Sequence, residues 1–202
     1  MSDSLDKPKY DRIRTRHYFA GEHLRAAQLM AKRCTERELL VLEIRGGELP
    51  AVDSEVRSYA VCAIAEAVAF LEARVNEVWQ AAQEPKLEMA SQRLAGLDDS
   101  QTDAVRTVAT ECGADRLGIF EKLDSTLFGV AGQHLQKGRR PGQDVYGLIK
   151  LRNALIHFKV EPQWDDETHK LEKQLRHLLP PNPLLQGAKP WFPHHVLCAG
   201  VA

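Results

Sequence analysis

The chain has 202 residues, which suits one domain with room for an appendage and is enough to bury a core without disulfides or metal. Hydrophobic residues make up 44% and charged residues 27%, and the formal net charge is −1. No global field draws such a chain to nucleic acid or to a membrane surface, so a polyanion would have to be held by a local patch.

The four cysteines (Cys34, Cys62, Cys112, Cys198) form no C-x-x-C pair, so neither zinc nor any other metal is expected, and no cofactor. Cys62 lies in an apolar helical run and is expected in the core. The first residues, Met1 to Lys7, contain no apolar stretch of the kind a secretory signal needs. No apolar run approaches about 20 residues, the length of a bilayer span. The expected address is the reducing cytoplasm.

Residues 1–8 read as a disordered lead-in. From Tyr10 the pattern is helical, with Phe19, Leu24, Ala27, Leu29, Met30 and Cys34 recurring at helical spacing. The run Leu39-Leu40-Val41-Leu42 fits either a continuation of that helix or a short strand, before Gly46-Gly47 and Pro50 break the chain. A second helix starts at Asp53 or Ser54 as N-cap, with Glu55 in its first turn. It runs to Trp79 and is apolar nearly all round, as expected of a helix in the middle of a bundle.

A short polar helix is expected over Leu87–Leu97, another from Gln101 to Thr110 capped by Ser100, and a third from Arg116 to Phe128 capped by Asp115. Gly129 to Gly142 reads as an exposed loop, and Val145 to Phe158 as a helix ended by Glu161-Pro162. Glu167–Leu179 is a last amphipathic helix, whose His169 and His177 are expected on its solvated face. Pro180-Pro181-Asn182-Pro183 stops regular structure. The tail over 180–202 is Pro-rich, with Trp191 and Phe192 draped on the bundle; either it packs there or it leads into a longer chain. His194, His195 and Cys198 have the ligand types of a metal site, but their place beside prolines at a chain end argues for coincidence. The expected class is an all-α antiparallel bundle spanning 9–179.

The most informative stretch is Leu151-Arg152-Asn153-Ala154-Leu155-Ile156-His157-Phe158. It sets an arginine, an amide and an imidazole in one turn and a half of an otherwise apolar helix. Burying such groups without partners costs on the order of 1–3 kcal/mol each. Either the fold satisfies them or they face a cleft. Asn153 and His157 are four apart and share a face, whereas Arg152 and His157 stand about 140° apart around the axis. The trio suits metal-independent phosphodiester cleavage in RNA. An imidazole can take the proton of a 2′-hydroxyl or give one to the leaving oxygen. A guanidinium can clamp the phosphate bidentately, and an amide can orient the imidazole. A two-fold dimer would supply a second histidine.

Arg152-Asn153-Ala154-Leu155-Ile156-His157 resembles the R-[NDH]-x3–5-H signature of the HEPN superfamily. The flanking run from Asp144 to Pro162, the stretch Ala67 to Ala73 with Asn76-Glu77, and the tail around Pro190-Trp191-Phe192-Pro193 look like a group of uncharacterised bacterial HEPN-like proteins. The resemblance implies an all-helical fold, with the motif near the start of a late helix. It also implies a homodimer with two motifs at a composite cleft, and a ribonuclease that needs no metal. Some members are toxins paired with a nucleotidyltransferase-type antitoxin, and others serve in phage defence. On this reading Arg152, Asn153 and His157 are catalytic.

From Lys137 to Lys159 there are six basic residues (Lys137, Arg139, Arg140, Lys150, Arg152, Lys159) and one acid, Asp144. Such a patch attracts backbone phosphates. Lys150, Arg139, Arg140 and Lys159 are therefore expected to guide RNA, with Tyr146 as a stacking ring. The alternative is a non-catalytic helical interaction or nucleotide-binding module. In that case Arg152 pairs with Glu72 or Glu77 on the long helix, and the trio knits the bundle or the dimer together. A nuclease should instead show Arg152 and His157 exposed in a concave basic cleft at a two-fold interface.

Overall fold

The computed structural model describes residues 16–46, 52–86, 89–113, 116–159, 168–186 and 191–202. The expected lead-in, Tyr10, Pro50, Leu87, Asp115, Glu161-Pro162, Glu167 and Pro190 lie outside them. Among the described residues every regular element is helical. These are α1 (Ala20–Arg45), α2 (Ser54–Gln83), α3 (Ala90–Arg93), α4 (Asp99–Cys112), α5 (Ile119–Ala131), α6 (Gly142–Ile156), α7 (Lys170–Leu175) and α8 (Trp191–His194), a single turn broken at Phe192 (φ −100°, ψ 135°). No helix among the described residues is long and apolar enough to cross a membrane.

The run Leu39–Leu42 belongs to α1, which continues to a left-handed cap at Gly46 (φ 55°, ψ 25°). Four consecutive apolar residues wind around a helix, so only part of the run faces inward: Val41 is buried while Leu39 and Leu40 are exposed. α2 begins as its sequence promises. The Asp53 carboxylate accepts the Val56 N–H at 2.9 Å and also meets the Arg37 guanidinium at 2.8 Å, which holds its pKa below the usual carboxylate range. α2 is the hub of the bundle. α1 lies along it, and α3, α4, α5 and α6 all pack against it. Its small inward residues, Ala60 and Ala63 among them, allow that close approach. Cys62, expected in the core, is exposed. Ala60, Ala63 and Ile64 hold the inward positions of that turn, which leaves Cys62 on the outer side.

Several helix boundaries differ from their sequence expectation. α4 is capped by Asp98 rather than Ser100. Asp98 and Gln101 form a reciprocal capping box, in which each side chain bonds the other's backbone N–H (2.8 and 3.0 Å). α5 starts three residues after Arg116 and ends later than expected, at a left-handed Gly132 (φ 64°). α6 starts at Gly142, earlier than expected. Gly142 is required there, because a Cβ at this position would lie 2.4 Å from the backbone oxygen of Gln136. α7 is shorter than the amphipathic pattern suggests. His169, expected in solvent, accepts the Leu171 N–H at 3.1 Å as the cap of α7 and stacks on Phe192 at 4.8 Å.

Two apolar clusters share α2. The smaller joins Val75, Trp79 and Ala82 to Val105 and Ala109 of α4, and the Trp79 indole donates to Thr126 at 2.7 Å. The larger joins α1, the first part of α2, α6 and α7 with residues of the 180–202 segment: Leu184, Leu185, Phe192, Val196 and Leu197 are all buried in it. Asn182, 1% exposed, staples this segment by donating to the His194 carbonyl at 2.9 Å and accepting the Leu184 N–H at 2.9 Å. Glu38 on α1, also buried, accepts the Ala199 N–H at 3.0 Å. Burial pushes the Glu38 carboxyl above its usual range, and the same surroundings push the buried Cys34 and Cys198 thiols up to about 12 and about 11.

Candidate functional site

α6 presents two different surfaces along its length. Leu151, 1% exposed, anchors it in the larger cluster, and Gly147 lets α7 cross closely. A Cβ on Gly147 would stand 3.2 Å from Leu175 Cδ2 and 3.3 Å from Leu178 Cδ1. Past Leu151 only one side of the helix stays on the core, through Ala154 and Leu155. Asn153, Ile156, His157 and Phe158 are exposed, with Ile156 at 53% and Phe158 at 48%. The motif lies in the last turn of α6, not near the start of a helix as the resemblance implies: His157 is the C-cap, and its N–H still bonds the Asn153 carbonyl at 3.0 Å.

Arg152 is half-buried. Its guanidinium donates to Asn153 Oδ1 at 2.9 Å and approaches Glu72 of α2 at 3.8 Å. Glu72 is thus its partner, as one of the sequence readings anticipates. Glu77 is not: it accepts the Ala20 N–H at 2.9 Å and lies 3.7 Å from Arg93, so it ties α1 and α3 to α2 rather than looking outward. The structure brings Arg152 and Asn153 together. The Asn153 carbonyl oxygen meets the guanidinium, and among the described residues no side chain hydrogen-bonds the His157 ring. Arg152 points to the α2 flank, whereas Asn153 and His157 follow the outward stripe that also carries Tyr146 and Lys150 at positions i, i+4, i+7 and i+11. At 1.5 Å per residue this stripe is about 16 Å long.

The upper part of the stripe is basic and aromatic. The Tyr146 ring meets Phe120 edge-on at 5.4 Å, with the Lys137 ammonium 4.7 Å and the Lys150 ammonium 5.1 Å from its centroid. A cleft of about 250 Å³ opens there, bounded by Lys137, Gln143, Tyr146, Lys150 and Gln174. His177, exposed as expected, meets the Gln143 amide beside it at 3.2 Å. The loop before α6 is anchored from α5. Asp124 accepts the Leu135 N–H at 2.6 Å and faces His134 at 3.1 Å, while His134 stacks on Phe128 at 4.5 Å. From this loop Arg139 is exposed, and Arg140 pairs with Asp144 at 3.2 Å. Lys159 is exposed beyond the helix end.

Two polar residues near the site escape a reading of the sequence. Lys122 on α5 is 4% exposed and donates to Asn76 Oδ1 at 3.0 Å. Asn76 stands one turn after Glu72 on α2, so one face of that helix receives both Arg152 and Lys122. The only signal in the sequence is a lysine beside the apolar stripe of Ile119, Phe120, Leu123 and Leu127, where a snorkelling surface lysine looks the same.

In the C-terminal segment, His194 Nδ1 is buried without a hydrogen-bond partner, and burial lowers the pKa of this imidazole. The neighbouring His195 stacks on Trp191. Among the described residues no three His, Cys, Asp or Glu side chains gather in a way that would hold a metal ion. Compared with models of protein families, with curated proteins and with solved structures, the chain matches none.

Proposed function

We propose that the chain is a metal-independent endoribonuclease of the HEPN type, working as a homodimer on RNA. The observation that carries this reading is the exposure of Asn153 and His157 at the end of α6, beside a guanidinium that its own subunit only partly covers. In the proposed reaction His157 takes the proton from a 2′-hydroxyl. The 2′-oxygen then attacks phosphorus, and the bond to the 5′-oxygen breaks. A second imidazole, from the partner's α6, protonates that leaving oxygen. Arg152 neutralises the charge growing on the phosphate oxygens, held towards it by Asn153. Lys150, with Lys137, Arg139, Arg140 and Lys159, holds the flanking backbone. The Tyr146 ring already carries two ammonium groups, so its role is to gather cations for phosphates as much as to stack a base. A toxin or phage-defence setting, with a nucleotidyltransferase-type antitoxin, is part of the same proposal.

One observation favours the non-catalytic alternative: the Arg152 guanidinium already touches both Asn153 and Glu72, as a bundle-knitting group would. The test is cleavage of mixed RNA in EDTA by the wild type and by His157→Ala. Cleavage that the substitution abolishes supports the nuclease. An inert wild type, together with a large drop in melting temperature for Arg152→Ala, supports the structural module.

A further inference from the structure

The cleft at Tyr146 carries more hydrogen-bond donors than its own subunit uses. Gln143, Tyr146 and Lys150 stand at i, i+3 and i+7 on one face of α6, and Gln174 of α7 and Lys137 of the loop before α6 supply the rest of its polar lining. The Lys137 and Lys150 ammonium groups lie 4.7 Å and 5.1 Å from the centroid of the same Tyr146 ring. A ring attracts cations through its quadrupole but has no net charge, so two positive charges gathered on it stay uncompensated. Lys150 is half-buried, and among the described residues no carboxylate pairs with it. Lys137 does have such a partner, Glu121 at 3.5 Å, but the two side chains are 48% and 51% exposed, and a pair of this kind is worth little. The half-buried Gln174 amide hydrogen-bonds no other described residue. Gln143 Nε2 lies 3.2 Å from His177 Nε2 and keeps a second N–H.

A ligand that uses this set needs a charge to match two cations and an oxygen for each ammonium, with another for the amides. A carboxylate lacks the third oxygen, and a phosphodiester lacks the second charge. A phosphate monoester has three terminal oxygens and about two charges at neutral pH. At about 250 Å³ the cleft is smaller than the roughly 300–1,000 Å³ that encloses a whole small molecule, so it suits a head group whose remainder stays outside.

We propose that this cleft binds a phosphate monoester, the terminal phosphate of an RNA strand. The choice of strand rests on the RNA reading above, whereas the choice of phosphate rests on the cleft itself. Lys150 precedes His157 by seven residues on the same stripe of α6, about 10 Å along the axis. A strand anchored by its end at Lys150 would pass His157 within a few nucleotides. The end of the strand, rather than its base sequence, would then set where it is cut.

The test uses a short 2′-O-methyl RNA, which has no nucleophilic hydroxyl and cannot be cut. It carries a 5′-phosphate, a 3′-phosphate or hydroxyls at both ends, and each form is titrated into the full chain by fluorescence anisotropy. A phosphorylated form should bind about tenfold more tightly than the hydroxyl form, the scale of one charge-assisted hydrogen bond. Lys150→Gln should erase that preference and Lys137→Gln should reduce it, with circular dichroism confirming that the helices are kept. Lys32→Gln, an exposed lysine on α1, should leave it intact, which separates the cleft from overall charge. Equal affinity for all three strands overturns the proposal, as does a preference that survives in both folded cleft variants. Inorganic phosphate that competes as strongly as the phosphorylated strand overturns the assignment to an RNA end. A wild type that leaves unmodified RNA intact but keeps the preference refutes the nuclease and not this site. RNA that is cut without any preference for a phosphorylated end refutes this site and not the nuclease.

Discussion

The two ends of α6 obey different rules. From Gly142 to Leu151 the helix is set by contact: Gly142 lies against the Gln136 backbone, Gly147 lies under Leu175 and Leu178, and Leu151 is sealed in the core. From Arg152 to Phe158 contact is one-sided: Ala154 and Leu155 still pack against the core and Arg152 reaches Glu72, while Asn153, Ile156 and His157 face outward. One end therefore carries the stability of the helix and the other its available chemistry. A substitution should move one property and spare the other.

The largest separation is expected from His157→Ala. Under the proposed chemistry it should lower the rate of RNA cleavage by about 10²–10⁴-fold. The melting temperature should stay near that of the wild type, since surface changes rarely exceed about 0.5 kcal/mol. A clear fall in stability measured by denaturant titration would break the comparison, because it would place the imidazole in the fold's own support. Leu151→Ala is the mirror experiment. Removing a fully buried leucine should cost about 2–5 kcal/mol, read as a lower denaturation midpoint. Gly142→Ala should also destabilise the fold, since its Cβ would meet backbone rather than a movable side chain. Thermal unfolding of the two variants side by side shows whether close approach or apolar burial contributes more at this end.

Smaller effects sharpen the boundary. The segment over 196–202 is held by Glu38, whose pKa is raised by burial above the usual carboxyl value of 4.5. A group whose folded pKa is raised contributes stability below its unfolded pKa and loses it as pH climbs through the folded one. Glu38→Gln should therefore match the wild type in acid. It should become the more stable protein as pH rises above about 4.5, with the gap levelling once Glu38 is ionised in the fold. A gap of the opposite sign in pH-dependent unfolding would mean that the charged carboxylate is the favoured form. The smallest effect is expected from Arg152→Ala. Its ion pair with Glu72 is long and partly solvated, so its removal should cost no more than about 1 kcal/mol in thermal unfolding. A cost of several kcal/mol would move Arg152 to the structural end of the helix.

Much of the framework was legible. Apolar spacing marked α2 as the hub, and Asp53 announced its start. The exposed basic loop and the polar trio at the end of α6 also stood out as strings of residue types. Other features were hidden for physical reasons. Leu39 to Leu42 read as strand or helix because a short apolar run carries no period of its own. Nothing in the sequence marks Glu38 or Lys122 as buried, because burial of a long polar side chain depends on what another helix lays over it. The Ser100 cap lost to Asp98 because only the earlier residue has Gln101 at the third position, where it can return the bond. The apolar groove beside Leu148, lined also by Phe70 and Leu175, had no signature at all. A sequence shows which face of a helix is apolar, not whether its neighbours fill the space in front of it.

The grip of Asp124 on the loop before α6 has a thermodynamic consequence. A loose cationic segment must give up its freedom whenever it seizes an anion, and that loss is subtracted from the affinity. Here Leu135 and His134 are already tethered to α5, so Arg139 and Arg140 start from a shortened leash. Cutting that tether with Asp124→Ala would free the segment, and anion capture should weaken even though the substitution also removes a nearby negative charge that opposes it.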